Sequence, residues 1–344
     1  MNIISFYTLA QEKTYQIRTI AFYNVENLFD IKNDSLTYDD DRTPEGKDNW
    51  TLERYNKKIE TISKVLSEIG SDTNKASPDI IGLCEVENLQ VVEDLIHHQN
   101  LKSKNYGIIH FDSPDERGID VAFLYKKNAF IPNSFKSQRL LLYNDDGFRD
   151  YSRDQLVVGG ILDNEQFYFI VNHWPSRSGG EARSKPNRIA AAKLNKQLID
   201  SIIKIDASAN IISMGDLNDD PTSDSLKKIL KTKGDSKNLE ENDLFNPMEK
   251  LFKKGIGSLA YRDKWNLFDQ LFFTSNLITN DKKNYAFWKA AVFNAPYLID
   301  SAGKYKGYPL RTYAGGSYVG GYSDHFPVYL YLIKSSPSPS KGGE

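Results

Sequence analysis

Short apolar runs recur along this chain, and most are bounded by turn-forming or charged residues. Runs of this kind are typical of buried β-strands. We expect strands at 17–23, 79–84, 106–110, 121–125, 156–162, 167–171, 210–214, 270–274 and 328–333. Apolar residues at helical spacing predict helices at 52–69, 90–97, 188–203 and 223–230. Strands that alternate with helices predict a single layered α/β domain in which the sheets carry most of the core.

Composition narrows the class of protein. The 344 residues carry a net charge of -2 and give a sequence pI of about 6.3. No overall positive field attracts nucleic acid, so a phosphate partner must be met by a local patch or a metal ion. The single cysteine, Cys84, excludes an internal disulfide. No apolar run reaches the length of a membrane span, so we expect no stable membrane insertion, and we expect a monomer.

The two ends of the chain differ from its interior. The first ten residues, MNIISFYTLA, resemble a clipped secretion signal, although no basic residue precedes the apolar run. The alternative is a frayed extension, so residues 1–14 are interpreted as a truncated signal or a disordered N-terminus. If the segment is a signal, we expect the protein in the periplasm or outside the cell. If it is not, we expect the protein in the cytoplasm. The domain is expected at 15–334, and the low-complexity residues 335–344 are expected to be a disordered tail.

Polar side chains stand at one end of several predicted strands. Each short motif is weak alone, because Asp, Asn and Pro favour turns for local reasons. Neighbouring strand ends would nevertheless bring the whole set into one cleft. The set comprises Asn24, Glu26, Asn27, Glu85, Glu87, Asn172, His173, Asp216, Asn218, Asp269, Asp324 and His325.

The local geometry of two motifs favours a metal-assisted site. Asp216 and Asn218 are two residues apart, so an extended backbone projects both to one side. Asp324 and His325 are adjacent, and the preceding Gly-Gly turn would let the carboxylate face an ion while the imidazole faces a substrate. Oxygen ligands without paired cysteines suit Mg²⁺, Mn²⁺ or Ca²⁺ better than zinc.

The order of these motifs resembles the endonuclease/exonuclease/phosphatase superfamily. The matching stretches are FYNVENLF, DIIGLCEVEN, VNHWPSR, GDLND, WNLFDQLFF and SDHFPV, and they span nearly the whole chain. The fuller signatures look most like the bacterial extracellular-nuclease-like branch. The resemblance implies a four-layer α/β/β/α sandwich, with two packed mixed β-sheets flanked by helices and the site in a cleft at one edge.

The resemblance also implies a role for each polar residue. Glu85 is the principal metal ligand, and Mg²⁺ is the expected ion. Asn24 lies beside Glu85, and Asp324 shares the ion. His325, oriented by Asp269, takes a proton from the attacking water or holds the scissile phosphate. The remaining roles are water positioning by Asp216, donation to a phosphate oxygen by Asn218, and phosphate binding or leaving-group protonation by His173. Either His325 or Asp216 is the base.

The expected activity is phosphodiester hydrolysis, with nucleic acid as the substrate. Two alternatives remain at this point: a sphingomyelinase-like or other phosphoesterase, and an inert binding module of the same fold. Basic residues after His173 are read as a loop beside the cleft, with Arg177 contacting phosphate and Arg188 structural; Arg183 and Lys185 belong to the same loop. Asp120 is either a partner of His173 or part of a surface pair.

Overall fold

A computed structural model describes residues 14–336. The predicted leader and tail lie outside that range, apart from Thr14, Ser335 and Ser336, so both stay predictions. Twelve strands form two large sheets among the described residues: β1 (Tyr15–Leu28), β2 (Ile80–Val86), β3 (Tyr106–His110), β4 (Asp120–Lys126), β5 (Phe130–Gln138), β6 (Gln155–Leu162), β7 (Glu165–His173), β8 (Asn210–Asp216), β9 (Leu244–Phe245), β10 (Asp269–Thr274), β11 (Ala286–Val292) and β12 (Val328–Ser335).

Each sheet has six strands and mixed pairing. The first sheet has the order β11-β12-β1-β2-β4-β3, and the second has the order β9-β10-β8-β7-β6-β5. The pairs β1–β2 and β7–β8 are parallel, whereas the other pairs are antiparallel. The carboxyl ends of β1 and β2, and likewise those of β7 and β8, therefore meet at the same edge of each sheet.

Helices cover the outer face of each sheet. They are α1 (Leu52–Glu68) and α2 (Leu89–His97) on the first sheet, and α3 (Glu181–Ile205) with a π-helical turn at Ser225–Ile229 on the second. The short helix α4 (Met248–Phe252) instead packs against the core between the sheets, beside β10 and β11. Short 3₁₀ turns lie at Asp40–Arg42, Lys102–Lys104, Ser275–Leu277, Pro296–Leu298 and Gly303–Tyr305. Three small hairpins pair Leu142–Tyr143 with Arg149–Asp150, Leu259–Tyr261 with Lys264–Asn266, and Tyr313–Ala314 with Ser317–Tyr318.

Three apolar clusters separate four layers. One lies between the sheets, where Phe22 of β1 and Phe169 of β7 are fully buried. A second joins the first sheet to α1 and α2, and a third joins the second sheet to α3 and the π-helical turn. The predicted four-layer sandwich is thereby confirmed. Among residues 14–336, every helix is too short or too polar to cross a lipid bilayer.

All nine predicted strands are present, and three sheet strands were missed. The missed strands β5, β9 and β11 lie at the edges of the sheets. The helix predicted at 188–203 begins earlier, at Glu181, and runs through Pro186. Arg183 and Lys185 are therefore helical, so the prediction that they belong to a loop is wrong, whereas Arg188 lies in the helix as the prediction at 188–203 expects. Gly179 and Gly180, with φ of 72° and 103°, end the loop and admit the early helix start.

Candidate active site

The inner face of the second sheet turns polar at one edge. Asp216, the last residue of β8, lies opposite His173 of β7 and Asp269 of β10 in the strand register. Met214, two residues before Asp216, belongs to the core between the sheets, so Asp216 continues the same face. The same alternation holds on both neighbouring strands. These three side chains therefore project together into the space between the sheets, where the apolar core ends.

A bulge in the first sheet directs Glu85 into the same space. Cys84 already faces the core between the sheets, so a regular strand would send Glu85 the opposite way. Glu85 instead has a φ of 62°, and the pairing of β2 with β4 shifts between Cys84 and Val86. This left-handed conformation is uncommon for a residue with a side chain. Its effect is that Glu85 Oε1 accepts a hydrogen bond from Asn24 Nδ2 at 3.1 Å.

Asn24 joins the carboxylates of the two sheets. Its Nδ2 also donates to Asp216 Oδ2 at 3.1 Å, and its Oδ1 accepts from the Glu26 backbone N–H at 2.9 Å. The second oxygen of Glu85 accepts from the Asn27 backbone N–H at 3.0 Å. The amide therefore holds both carboxylates in place, while its own oxygen keeps one lone pair for a further partner.

His325 and Asp269 form a buried pair. His325 Nδ1 lies 2.6 Å from Asp269 Oδ2, and the Asp269 side chain has no exposed surface. Nε2 of the ring points the other way, 3.9 Å from both Asp216 Oδ2 and Asp324 Oδ1. The carboxylate thus fixes the orientation and tautomer of the ring, and it leaves Nε2 available to a substrate.

His173 faces the same point from β7. Its Nε2 lies 3.7 Å from Asp216 Oδ2 and 3.8 Å from Glu85 Oε1. Nδ1 is buried and has no hydrogen-bond partner among the described residues. Two imidazole Nε2 atoms and the carboxylates of Glu85 and Asp216 therefore converge on one point.

Burial and charge separate the protonation behaviour of the two imidazoles. Burial lowers the pKa of His173 well below its usual value, and the Arg153 guanidinium lowers it further. Burial also opposes charge on His325, but the carboxylates of Asp269 and Asp216 outweigh it and raise the pKa of His325. Burial raises the pKa of Asp216 to about 7. Groups with divergent pKa values in one cleft are typical of acid–base sites.

Asn218 and Arg177 lie beside the site and contact each other. The Asn218 backbone N–H donates to Asp216 Oδ1 at 3.0 Å, and its side-chain amide donates to the Trp174 carbonyl at 3.0 Å. Arg177 donates to the Asn218 carbonyl at 2.8 Å and lies near Asp219 at 3.3 Å. The structure thus shows both residues ordering the loop after Asp216, and their contacts with phosphate stay predictions.

Asp324 lies at the outer rim of the cleft. Its Oδ2 accepts from Arg311 at 3.0 Å, and Arg311 also donates to Glu26 Oε1 at 3.0 Å. The adjacent residue Ser323 donates to the Asn24 carbonyl at 2.7 Å and accepts from the His325 backbone N–H at 3.1 Å. The turn predicted from the Gly-Gly pair is therefore fastened to the end of β1, which carries Asn24.

Two residues that contact the site were not predicted from the sequence. Ser258, fully buried, donates to Asp269 Oδ2 at 2.5 Å, and Arg311 lies in a segment without a recognisable motif. Both act through long-range contacts, which strand periodicity does not encode. Neither prediction for Asp120 holds, because its carboxylate pairs with His110 at 3.0 Å rather than with His173, and both side chains of that pair are buried. That carboxylate also accepts from the Ser113 backbone N–H.

The oxygen atoms of the cleft suit a hard divalent cation. Glu85 and Asp216 approach each other through one amide, and Asp324 adds a third carboxylate at the rim. The raised pKa of Asp216 reflects a buried negative charge that a cation would stabilise. A second grouping, Asp216, Asp269 and His325, also lies within ligand distance. In that grouping, Asp269 and His325 are already paired with each other.

The fold and the cleft together define a class of protein. Residues 19–334 match the Endonuclease/Exonuclease/phosphatase family, so the chain belongs to that family. Members of the family are hydrolases that act on phosphoester bonds. No curated protein matches this chain in sequence.

Solved structures share the architecture. A family member from Bacteroides thetaiotaomicron is 18% identical, with 94% of this chain and 97% of that chain covered and a TM-score of 0.55. A mannosyl-6-phosphatase from the same organism is 18% identical, with 92% and 99% covered and a TM-score of 0.55. D. rerio TDP2 complexed with a single-strand DNA product is 14% identical, with 92% and 98% covered and a TM-score of 0.51. Identities this low show the fold alone.

Proposed function

We propose that this protein is a Mg²⁺-dependent phosphodiesterase that cleaves nucleic acid. The observation that carries the proposal is the convergence of two imidazoles on two carboxylates. His173 Nε2 lies within 4 Å of both Glu85 and Asp216, and His325 Nε2 lies within 4 Å of Asp216. Such a set supplies charge neutralisation and proton transfer around one phosphorus atom. An inert binding module has no need of two imidazoles that face a single anion site.

The proposed ion ligands are Glu85 and Asp324, with Asn24 as the residue that orients Glu85. All of them offer oxygen atoms, which favours Mg²⁺, with Mn²⁺ or Ca²⁺ as substitutes. When bound, the ion supplies Lewis-acid stabilisation of negative charge on the phosphoryl and leaving oxygens. The remaining chemistry belongs to the protein's own side chains.

Asp216 is the proposed proton acceptor for the attacking water. Its carboxylate is fixed by Asn24 on one oxygen and by the Asn218 backbone on the other, so it faces the space between the imidazoles. His325 Nε2, with Asp269 behind the ring, donates to a phosphoryl oxygen, and His173 Nε2 donates to another. The water oxygen forms a bond to phosphorus, the bond to the ester oxygen breaks, and that oxygen takes its proton from solvent.

The choice of substrate rests on two supports. Asn218 keeps one amide hydrogen for a phosphate oxygen, and Arg177, with its side chain 26% exposed, lies directly beside it. The complex of D. rerio TDP2 with single-strand DNA shows that one protein of this fold binds a polynucleotide product. A sugar phosphate monoester, as in the name of the mannosyl-6-phosphatase, is the comparison substrate in the test below.

One surface feature favours a lipid phosphodiester as the second candidate. The hairpin Leu142–Tyr143/Arg149–Asp150 carries exposed apolar side chains, with Tyr143 59% and Phe148 72% exposed. An exposed hairpin of this kind can insert at a membrane interface. Replacing both aromatics by alanine would lower hydrolysis of sphingomyelin vesicles if that candidate is correct, and it would leave hydrolysis of DNA unchanged.

A substrate panel tests the proposal. Purified protein is incubated with plasmid DNA, RNA, bis(p-nitrophenyl) phosphate, sphingomyelin and a hexose 6-phosphate, in Mg²⁺ or in EDTA. We expect Mg²⁺-dependent nicking of nucleic acid that Glu85→Ala and His325→Ala abolish. Matched controls are Glu87→Ala and His97→Ala, which alter the same residue types outside the cleft. Turnover of the hexose phosphate or of sphingomyelin alone would refute the nucleic-acid assignment.

A further inference from the structure

A cavity of about 340 Å³ adjoins the candidate active site on the side of Asp324. It lies between the hairpin Leu259–Tyr261/Lys264–Asn266 and the segment that precedes Arg311. Arg311 bridges Glu26 and Asp324, so it forms a wall shared by the cavity and the catalytic cleft. Its lining combines the carboxylates of Asp263, Asp300 and Asp324 with aromatic and basic side chains: Tyr261, Arg262, Lys304, Tyr305, Tyr308 and Arg311.

The rim of this cavity is built from a strained turn. Arg262 and Asp263 both have positive φ, 49° and 60°, in a two-residue hairpin turn where Asn and Gly are usual. The Tyr308 hydroxyl accepts from the Asp263 backbone N–H at 2.6 Å and donates to the Asp263 carboxylate at 2.7 Å. These bonds hold the turn in its strained conformation and keep Tyr261 at the rim, 62% exposed.

The cations of the rim are available to a ligand. Among residues 14–336, neither Arg262 nor Lys304 has a carboxylate within ion-pair distance, and each lies over an aromatic ring instead. Arg262 is 5.2 Å from the centroid of Tyr261, and Lys304 is 5.6 Å from that of Tyr305. A positive charge beside an aromatic face matches a nucleotide, in which a phosphate adjoins a planar base. A neutral sugar would use the rings but not the charges.

A second cavity, near Glu87, is much more acidic. This cavity of about 720 Å³ is lined by acidic residues from three segments, including Asp34, Glu87 and Asp112, and Lys32 is the only basic residue in its lining. A polyanion is repelled from that cavity. A strand whose phosphate occupies the catalytic cleft is therefore directed toward the cavity beside Asp324.

We propose that the cavity beside Asp324 binds the nucleotide next to the scissile phosphate of a single-stranded substrate. The base stacks on Tyr261 and Tyr305, and the following phosphate contacts Arg262 and Lys304. This subsite rests on the proposed phosphodiesterase function, because its ligand is part of that substrate. It contributes binding to a strand rather than to the reacting phosphate, so small diesters do not use it.

Binding and turnover are measured separately. A short fluorescein-labelled single-stranded oligodeoxynucleotide is titrated in EDTA by fluorescence anisotropy, which requires no cleavage. We expect Tyr261→Ala/Tyr305→Ala to raise its Kd about tenfold, equivalent to about 1.4 kcal/mol. The control is Tyr143→Ala/Phe148→Ala, which removes two exposed aromatics outside this cavity. Circular dichroism confirms that all variants are folded.

The charges and the turnover give a second readout. Arg262→Gln/Lys304→Gln should weaken oligonucleotide binding and reduce its dependence on salt. In Mg²⁺, the double variant Tyr261→Ala/Tyr305→Ala should have a raised KM for the oligonucleotide. Its kcat/KM for bis(p-nitrophenyl) phosphate should stay within twofold of the wild type. An unchanged Kd in both double variants overturns the subsite, even if nucleic acid is cleaved. The subsite is also overturned if the double variants lose binding of hexose 6-phosphate but keep binding of the oligonucleotide, since a sugar would then occupy the cavity. Failure of the wild type to hydrolyse any diester, by contrast, refutes the proposed function.

Discussion

The loop that carries Asp216 and Asn218 depends on one buried ion pair. Arg188 of α3 has no exposed side-chain surface, and its Nε donates to Asp219 Oδ1 at 2.7 Å. Its Nη1 donates to the Ser184 hydroxyl at 2.8 Å. Asp219 is itself buried, so Arg188→Ala leaves a carboxylate in the interior with less compensation. Breaking a buried pair by removing one partner typically costs about 3–5 kcal/mol of folding free energy.

Arg177 offers a matched comparison because it shares the same acceptor atom. Its Nη2 lies 3.3 Å from Asp219 Oδ1, but its side chain is 26% exposed. Solvent screens that ion pair, so its loss in Arg177→Ala should cost no more than about 1 kcal/mol. Loss of the hydrogen bond to the Asn218 carbonyl adds about 1 kcal/mol, which still leaves the total below that for Arg188→Ala. Both variants are measured by urea denaturation, followed by far-ultraviolet circular dichroism and extrapolated linearly to water.

A further variant separates charge from packing. Arg188→Met keeps most of the side-chain volume, so its cost reflects mainly the stranded carboxylate. Adding Asp219→Asn to Arg188→Met should then recover part of the loss, because the buried charge is removed with its partner. Equal destabilisation by Arg188→Ala and Arg177→Ala, or a loss below about 1 kcal/mol for Arg188→Ala, would refute this reasoning.

Three further outcomes follow from contacts described above. Asp269→Asn should lower kcat about a hundred- to ten-thousand-fold with an unchanged circular dichroism spectrum, because the imidazole of His325 loses its buried carboxylate; steady-state kinetics measures this. Glu85→Gln should weaken Mg²⁺ binding in calorimetry by at least about tenfold, whereas Glu87→Gln should not, since Glu87 binds the Asp30 backbone. Burial alone raises the pKa of Asp163, but hydrogen bonds from Arg18 and Tyr285 outweigh it and hold that pKa below its usual value. The ionised Asp163 carboxylate therefore stabilises the folded protein above its unfolded pKa of about 3.9, and this stabilisation is lost as pH falls through the folded pKa. Asp163→Asn removes this titration, so the Tm of the variant should decrease less in acid than that of the wild type.

The sequence predicted the central strands because both of their faces are buried. Such strands read as apolar runs, as β8 and β12 do. The three edge strands that were missed differ from β3, the edge strand that was predicted. One of them, β5, contains Pro132 and exposes Phe135 by 55%. The start of α3 was missed for a related reason, because Pro186 and two glycines argue locally against a helix.

The sequence predicted which residues form the site, but it did not predict every side-chain direction and contact. Asp216 and His173 follow from alternation, since each continues the inner face of its strand. Alternation alone would have placed Glu85 on the wrong face, although its position at a strand end and the family motif both pointed to it. The left-handed backbone that redirects it coincides with a shift in the pairing of β2 with β4. Contacts such as that of Ser258 with Asp269 join distant segments and have no local signature.

The order of strands along the chain bears on how the protein is made. The second sheet is encoded without interruption between residues 130 and 274, but the first sheet is completed only when β12 enters between β1 and β11. His325 reaches Asp269 in that same final step. A ribosome-bound or prematurely terminated chain that lacks this segment therefore cannot assemble both imidazoles. The proposed hydrolytic site is therefore incomplete until synthesis of the domain is essentially finished.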